Sequence, residues 1–147
     1  MQLIDLEHAL AEALKTGQLG VPVSLRIMAV TPQTGIELPR VIAQFAPLIR
    51  LISQESSGKV QARQHPSGQQ LSVLWTDSQG RTVSITVASA STARPSLGVL
   101  VVGNHGITQL NGGEAWEGFG SPVESPLWEK EITESLKRGT SIVVGDS

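Results

Sequence analysis

Alternation is the property that most narrows what this chain can become. Through Leu71-Ser72-Val73-Leu74-Trp75-Thr76 and Arg81-Thr82-Val83-Ser84-Ile85-Thr86-Val87, inward apolar residues alternate with a face that is mostly Ser and Thr. A period of two suits a strand half buried on one side and no helix. Between these runs stands Asp77-Ser78-Gln79-Gly80, whose glycine can take the positive φ of a tight hairpin. A third run, residues 97–102, is apolar on both faces except at Gly98, and reads as a central strand covered on both sides. Gly103-Asn104-His105-Gly106 then turns the chain into Ile107-Thr108-Gln109-Leu110, which closes a meander of consecutive antiparallel strands over residues 69–111.

The flanking segments read as cover and frame for that sheet. Leu3, Leu6, Leu10, Ala13 and Leu14 recur at helical spacing, which predicts an amphipathic helix over residues 4–16 that Gly17 stops. The same stripe would also suit a partner helix. Residues 23–30 alternate as a first strand ending before Thr31-Pro32. Val41, Ile42, Phe45, Leu48, Ile49 and Ile52 form a second helical stripe within residues 39–53. Pro47 interrupts that stripe, so a kink or two short helices follow. Residues 59–64 read as a short strand, and 89–96 as the longest break in the sheet. Ser125-Pro126 starts a helix with Leu127, Trp128, Ile132 and Leu136 on its buried face, stopped by Gly139. Ser141-Ile142-Val143-Val144 is a last short strand, and Glu114 to Ser121 lacks periodicity and reads as a loop held by Trp116 and Phe119.

Composition removes several function classes. At 39% hydrophobic and 16% charged over 147 residues, the chain has the makings of one globular domain spanning residues 1–147. With 11 Lys and Arg against 13 Asp and Glu, and no basic run, it lacks a surface for a nucleic-acid backbone, so nucleic acid is not an expected partner. Without cysteine it has no disulfide, thiolate metal site or Cys nucleophile. No apolar run reaches the roughly 20 residues of a membrane span and no signal-like leader opens the chain, so no membrane partner and a soluble cytoplasmic protein are expected.

The order of a strand ending in Trp75, a turn, a Ser/Thr-rich strand, a basic linker and then LGVLVVGNHGITQLNGG resembles the sheet of the C-terminal domain of the Gfo/Idh/MocA oxidoreductases. Residues 17–26 resemble that family's helix-to-first-strand junction, and 128–144 its last helix and closing strand. The resemblance implies an α+β fold, a mostly antiparallel open sheet of about six strands with two or three helices on one face. It also implies an N-terminal Rossmann domain carrying NAD(P) on a Gly-x-Gly-x-x-Gly turn, which no stretch here supplies. The family's Glu-Lys-Pro motif has no counterpart, since Trp128-Glu129-Lys130-Glu131 does not match it. Its Asp-x-Gly-x-His-x-x-Asp segment should fall at residues 35–44, where neither His nor Asp occurs. No catalytic, cofactor-binding or metal-ligating residue therefore carries over, and no cofactor is expected on this chain alone.

The three histidines, His8, His65 and His105, are scattered, and only His8 with Glu12 has ligand spacing, an ordinary surface pair. His105 reads first as a turn residue tolerant of unusual backbone. No Gly-x-Ser-x-Gly elbow is present, and Gly112-Gly113 has no helix aimed at a phosphate. Glu114 and Glu117 beside Trp116 could meet a sugar or simply solvate a loop. His105, Arg94 and Trp116 stand as secondary candidate ligand contacts. The foremost candidate is a surface: Ser72, Leu74, Thr76, Thr82, Ser84 and Thr86 make one flat, weakly polar sheet face whose small neutral hydroxyls can be covered at modest desolvation cost. A solvated face in a monomer would look the same. Two functions follow as expectations. One is a binding or assembly protein that has lost cofactor and catalysis and pairs with itself through this face. The other is a substrate-side subunit serving a separate Rossmann chain; hydrolysis through Glu114 or Glu117 trails both.

Overall fold

A computed structural model of the chain describes residues 3–32, 38–53, 57–91, 94–111 and 129–144. Helix α1 (Leu3–Lys15) ends where Gly17 takes φ 75°, and Gly20 at φ 69° aims the chain into β1 (Pro22–Thr31). The second helical stripe divides into α2 (Leu38–Ala43) and α3 (Ala46–Ile52). The division is the one proline requires: Pro47 lies in the first turn of α3, where its missing N–H deprives no carbonyl of a partner. Strands β2 (Gly58–Gln64), β3 (Gln70–Asp77), β4 (Thr82–Ser89), β5 (Ser96–Gly103) and β6 (Ile107–Asn111) follow, then α4 (Glu129–Arg138) and β7 (Ile142–Val144).

These strands form one open, seven-stranded sheet in the order β6-β5-β1-β4-β3-β2-β7. All neighbours are antiparallel except β1 and β4, which run parallel from Ser24↔Thr82 to Thr31↔Ser89. The α+β class with a mostly antiparallel open sheet is thus the architecture. Its strand order differs from a meander, because β1 lies between β4 and β5. Alternation fixes which face a side chain takes and leaves the neighbour open, and β1, with both edges able to pair, fills the gap left by the 89–96 break.

One face of the sheet is the core. Leu25, Ile27 and Ala29 of β1, Val60 and Ala62 of β2, Leu71, Val73 and Trp75 of β3, Val83, Ile85 and Val87 of β4, and Leu97, Val99 and Val101 of β5 are buried there. Against them pack Leu6 and Leu10 of α1, Val41 and Ile42 of α2, Leu48, Ile49 and Ile52 of α3, and Ile132 of α4. Sequence predicts β5 covered on both sides; among the described residues only one of its faces is covered by helices. Its alternate residues Gly98, Leu100 and Val102 are half-buried on the opposite face, and β5 is next to the edge strand β6.

The helix-to-strand junction and the β5–β6 turn clasp each other. Asn104 Oδ1 accepts the Val21 N–H at 2.8 Å, while the Asn104 and His105 amides donate to the Val21 and Leu19 carbonyls at 3.0 Å each. Glycine is needed at 103 for the same reason, since a side chain there would strike the Leu19 carbonyl. Among the described residues no helix is long and apolar enough to cross a membrane.

Candidate functional site: an uncovered sheet face

The face away from the helices is a grid set by strand register. One row runs Ile107, Val102, Ser24, Thr82, Thr76, Lys59 and Val143. The next runs Gln109, Leu100, Arg26, Ser84, Leu74 and Gln61, and a third Asn111, Gly98, Met28, Thr86, Ser72 and Arg63. Ser72, Leu74, Thr76, Thr82, Ser84 and Thr86 therefore meet as cross-strand pairs on β3 and β4, in the middle of the grid. Ser72 Oγ and Thr86 Oγ1 share a hydrogen bond at 3.1 Å, and Thr82 Oγ1 donates to Ser24 Oγ at 3.2 Å. Hydroxyls that satisfy one another make a face easier to dehydrate.

Sequence reasoning missed the residues around this patch. Met28 on β1 is 56% exposed and Leu74 on β3 is 42% exposed, so the centre of the face is part apolar. Ile107 and Val143 are exposed on the outer strands. Three exposed cations border the hydroxyls, with Arg26 beside Ser84, Lys59 beside Thr76 and Arg63 beside Ser72. The β3 and β4 residues alone are short of charge, whereas the face as the described residues build it is cationic. The signal was present, because Arg26 and Met28 alternate with Leu25, Ile27 and Ala29. What hid it was that β1 was not known to adjoin β4.

The hairpin bearing the patch is anchored on the other face by Asp77, whose side chain is fully buried. Its carboxylate accepts from Ser53 Oγ at 2.7 Å, the Gln79 and Arg81 amides at 2.9 Å each, and Arg81 Nε at 2.8 Å. Trp75 Nε1 in turn donates to Ser53 Oγ at 3.2 Å. Burial pushes the carboxyl upward, but the Ser53 hydroxyl and the Arg81 and Gln79 donors outweigh it and hold the group below its ordinary value. Gly80 at φ 81° completes the turn as its sequence required.

Two of the secondary candidates lie apart. His105 is exposed in the β5–β6 turn and Arg94 is exposed just before β5, at opposite ends of that strand. Eight residues of strand hold them roughly 25 Å apart. Trp116, with Glu114 and Glu117, lies outside the described residues, as do Ser125-Pro126 and residues 35–37 of the segment compared with the family's His motif. His8 is exposed on α1, and His65 caps its own turn, its Nδ1 accepting the Ser67 amide at 3.1 Å. No group of His, Asp and Glu suited to a metal occurs among the described residues.

Those residues also do not fit a nicotinamide dinucleotide. A pyrophosphate cradle needs a strand, a glycine turn and a helix leading to an adjacent parallel strand. The one parallel pair among them, β1 and β4, is separated in the chain by two helices and two strands.

No family model matches the sequence, and no curated protein matches it. Solved structures do match in fold. Myo-inositol 2-dehydrogenase from Lactobacillus plantarum superposes with a TM-score of 0.69 at 11% identity, covering 95% of this chain and 61% of that one. Myo-inositol dehydrogenase from Corynebacterium glutamicum gives 0.74 at 10% identity, covering 96% and 62%. The Lactobacillus casei enzyme in complex with NAD(H) and myo-inositol gives 0.64 at 13% identity, covering 96% and 59%. The chain spans about three fifths of the length of these neighbours. Its fold is the one its sequence resembles, that of the C-terminal domain of Gfo/Idh/MocA oxidoreductases.

Proposed function

We propose that this chain is a non-catalytic assembly module, a single domain of the oxidoreductase C-terminal fold that pairs with a copy of itself through the open face of its sheet. The observation that carries the reading is the distribution of residues across the sheet. The described helices gather on the core side, while Met28 and Leu74 stand exposed on the other among hydroxyls, of which Ser72 bonds Thr86 and Thr82 bonds Ser24. Such a surface bears apolar side chains and hydroxyls between its cations, receives no acid from its strands, and is not covered by the described residues. A symmetric contact is the commonest arrangement for identical chains. A soluble, cytoplasmic homo-oligomer follows. Sedimentation equilibrium tests it: the protein should dimerise at tens of micromolar, and Leu74→Lys should weaken the dimer by about tenfold or more. A wild-type monomer at that concentration at low and high salt alike refutes the reading.

A second reading has support from the neighbours. The Lactobacillus casei enzyme carries NAD(H) with its substrate, and this chain corresponds to 59% of it. A substrate-side subunit working with a separate nucleotide-binding chain would look like this. Nicotinamide-dependent turnover that appears only when a co-purifying Rossmann chain is added would establish it, with His105 or Arg94 as ligand contacts to be tested by substitution.

A further inference from the structure

Self-pairing through the open face must accommodate the cations that border it. Arg26, Lys59 and Arg63 are exposed there. The described residues bring no carboxylate to the same face, for Asp77 is the only acid in the seven strands and lies buried on the other side. In a two-fold contact centred on the patch each copy presents the same surface, so both sets of cations enter one interface. Like charges brought together oppose association, and salt screens them once the Debye length falls below their separation. Sheets packed face to face lie roughly 10 Å apart, which sets how closely the cations of one copy approach those of the other. That separation is well inside the Debye length of about 30 Å at 0.01 M salt and outside the 8 Å reached at 0.15 M.

We infer that association through this face is governed by anions: it is weak at low ionic strength, strengthens as salt rises, and strengthens further with phosphate, whose oxygens can bridge guanidinium and ammonium groups. The inference rests on the self-association reading above. The test is sedimentation equilibrium of the whole chain in about 10 mM and about 300 mM sodium chloride, then with phosphate replacing chloride at equal ionic strength. The dissociation constant should fall by about tenfold between the two salt concentrations and again in phosphate. A variant combining Arg26→Ser, Lys59→Ser and Arg63→Ser should dimerise at low salt with a constant that salt leaves unchanged; that variant also separates charge screening from general salting-out of apolar surface. A dimer whose constant is flat or rises with salt overturns the inference and leaves self-association standing. A triple variant that keeps the salt response overturns it too. A monomer under every condition, variant included, overturns both readings.

Discussion

A buried carboxylate stays ionised only where donors converge on it, and Asp77 collects four: a hydroxyl, two amides and a guanidinium N–H. Asp77→Asn should lower stability by about 2–3 kcal/mol at neutral pH, because it removes the charge that Arg81 Nε pairs with and turns an acceptor into a donor facing Ser53. The pH dependence has a definite sign. Folding depresses this carboxyl below its ordinary value of 3.8. The stabilisation is therefore fully present above that value and is lost as pH falls through the lower, folded-state one. Urea midpoints measured from about pH 5 down to about pH 2 should show wild type and Asp77→Asn converging in acid; parallel curves would deny the carboxylate its role. Sequence showed the turn chemistry of Asp77 and Gly80 and placed six patch residues on one face. It could not show Ser53 reaching Asp77 across 24 residues, because no local period encodes a contact between the end of a helix and the end of a strand.

At the level of elements, α4 shows how a short edge is finished. Strand β7 pairs with β2 only from Gly58 to Val60, so the Ala62 N–H beyond it has no strand to meet. Ser135 of α4 supplies the acceptor at 3.0 Å, and its own hydroxyl donates to the Thr140 carbonyl at 2.7 Å, closing the turn into β7. The helix thereby covers an edge that would otherwise offer itself to another chain. Ser135→Ala leaves a buried amide unsatisfied and should cost about 1–3 kcal/mol, read as a lower urea midpoint. Faster hydrogen exchange at Ala62 than at core-strand amides such as Ile85 would localise the loss. The helix was legible from Ile132, Leu136 and Gly139, and Pro47 announced the split between α2 and α3. The serine was not legible, since a small polar residue in a helix looks like solvent-side filler until the strand edge beneath it is known.

For the whole molecule the decisive feature is β1, which comes early in the chain and sits in the middle of the sheet. It pairs with β4, whose Thr82 bonds Ser24 from 58 residues away, and with β5, whose turn returns to Val21 across 83. Period-two patterning could not reveal this, because it specifies faces and is silent on neighbours. The insertion bears on the proposal of one domain. With β1 absent, β4 and β5 each lose an edge partner and the sheet divides into β6-β5 and β4-β3-β2-β7, the first of which is a two-stranded ribbon too small to stand alone. Neither part has reason to fold before the other, so unfolding should be a single transition. The chain has three tryptophans, and replacing Trp116 and Trp128 by Phe leaves Trp75, buried beneath β3, as the only fluorophore. Its fluorescence and the far-ultraviolet dichroism of the whole sheet should then give superimposable urea curves. If the two curves separate, β1 does not bind the halves into one cooperative unit, and the single-domain proposal fails with it.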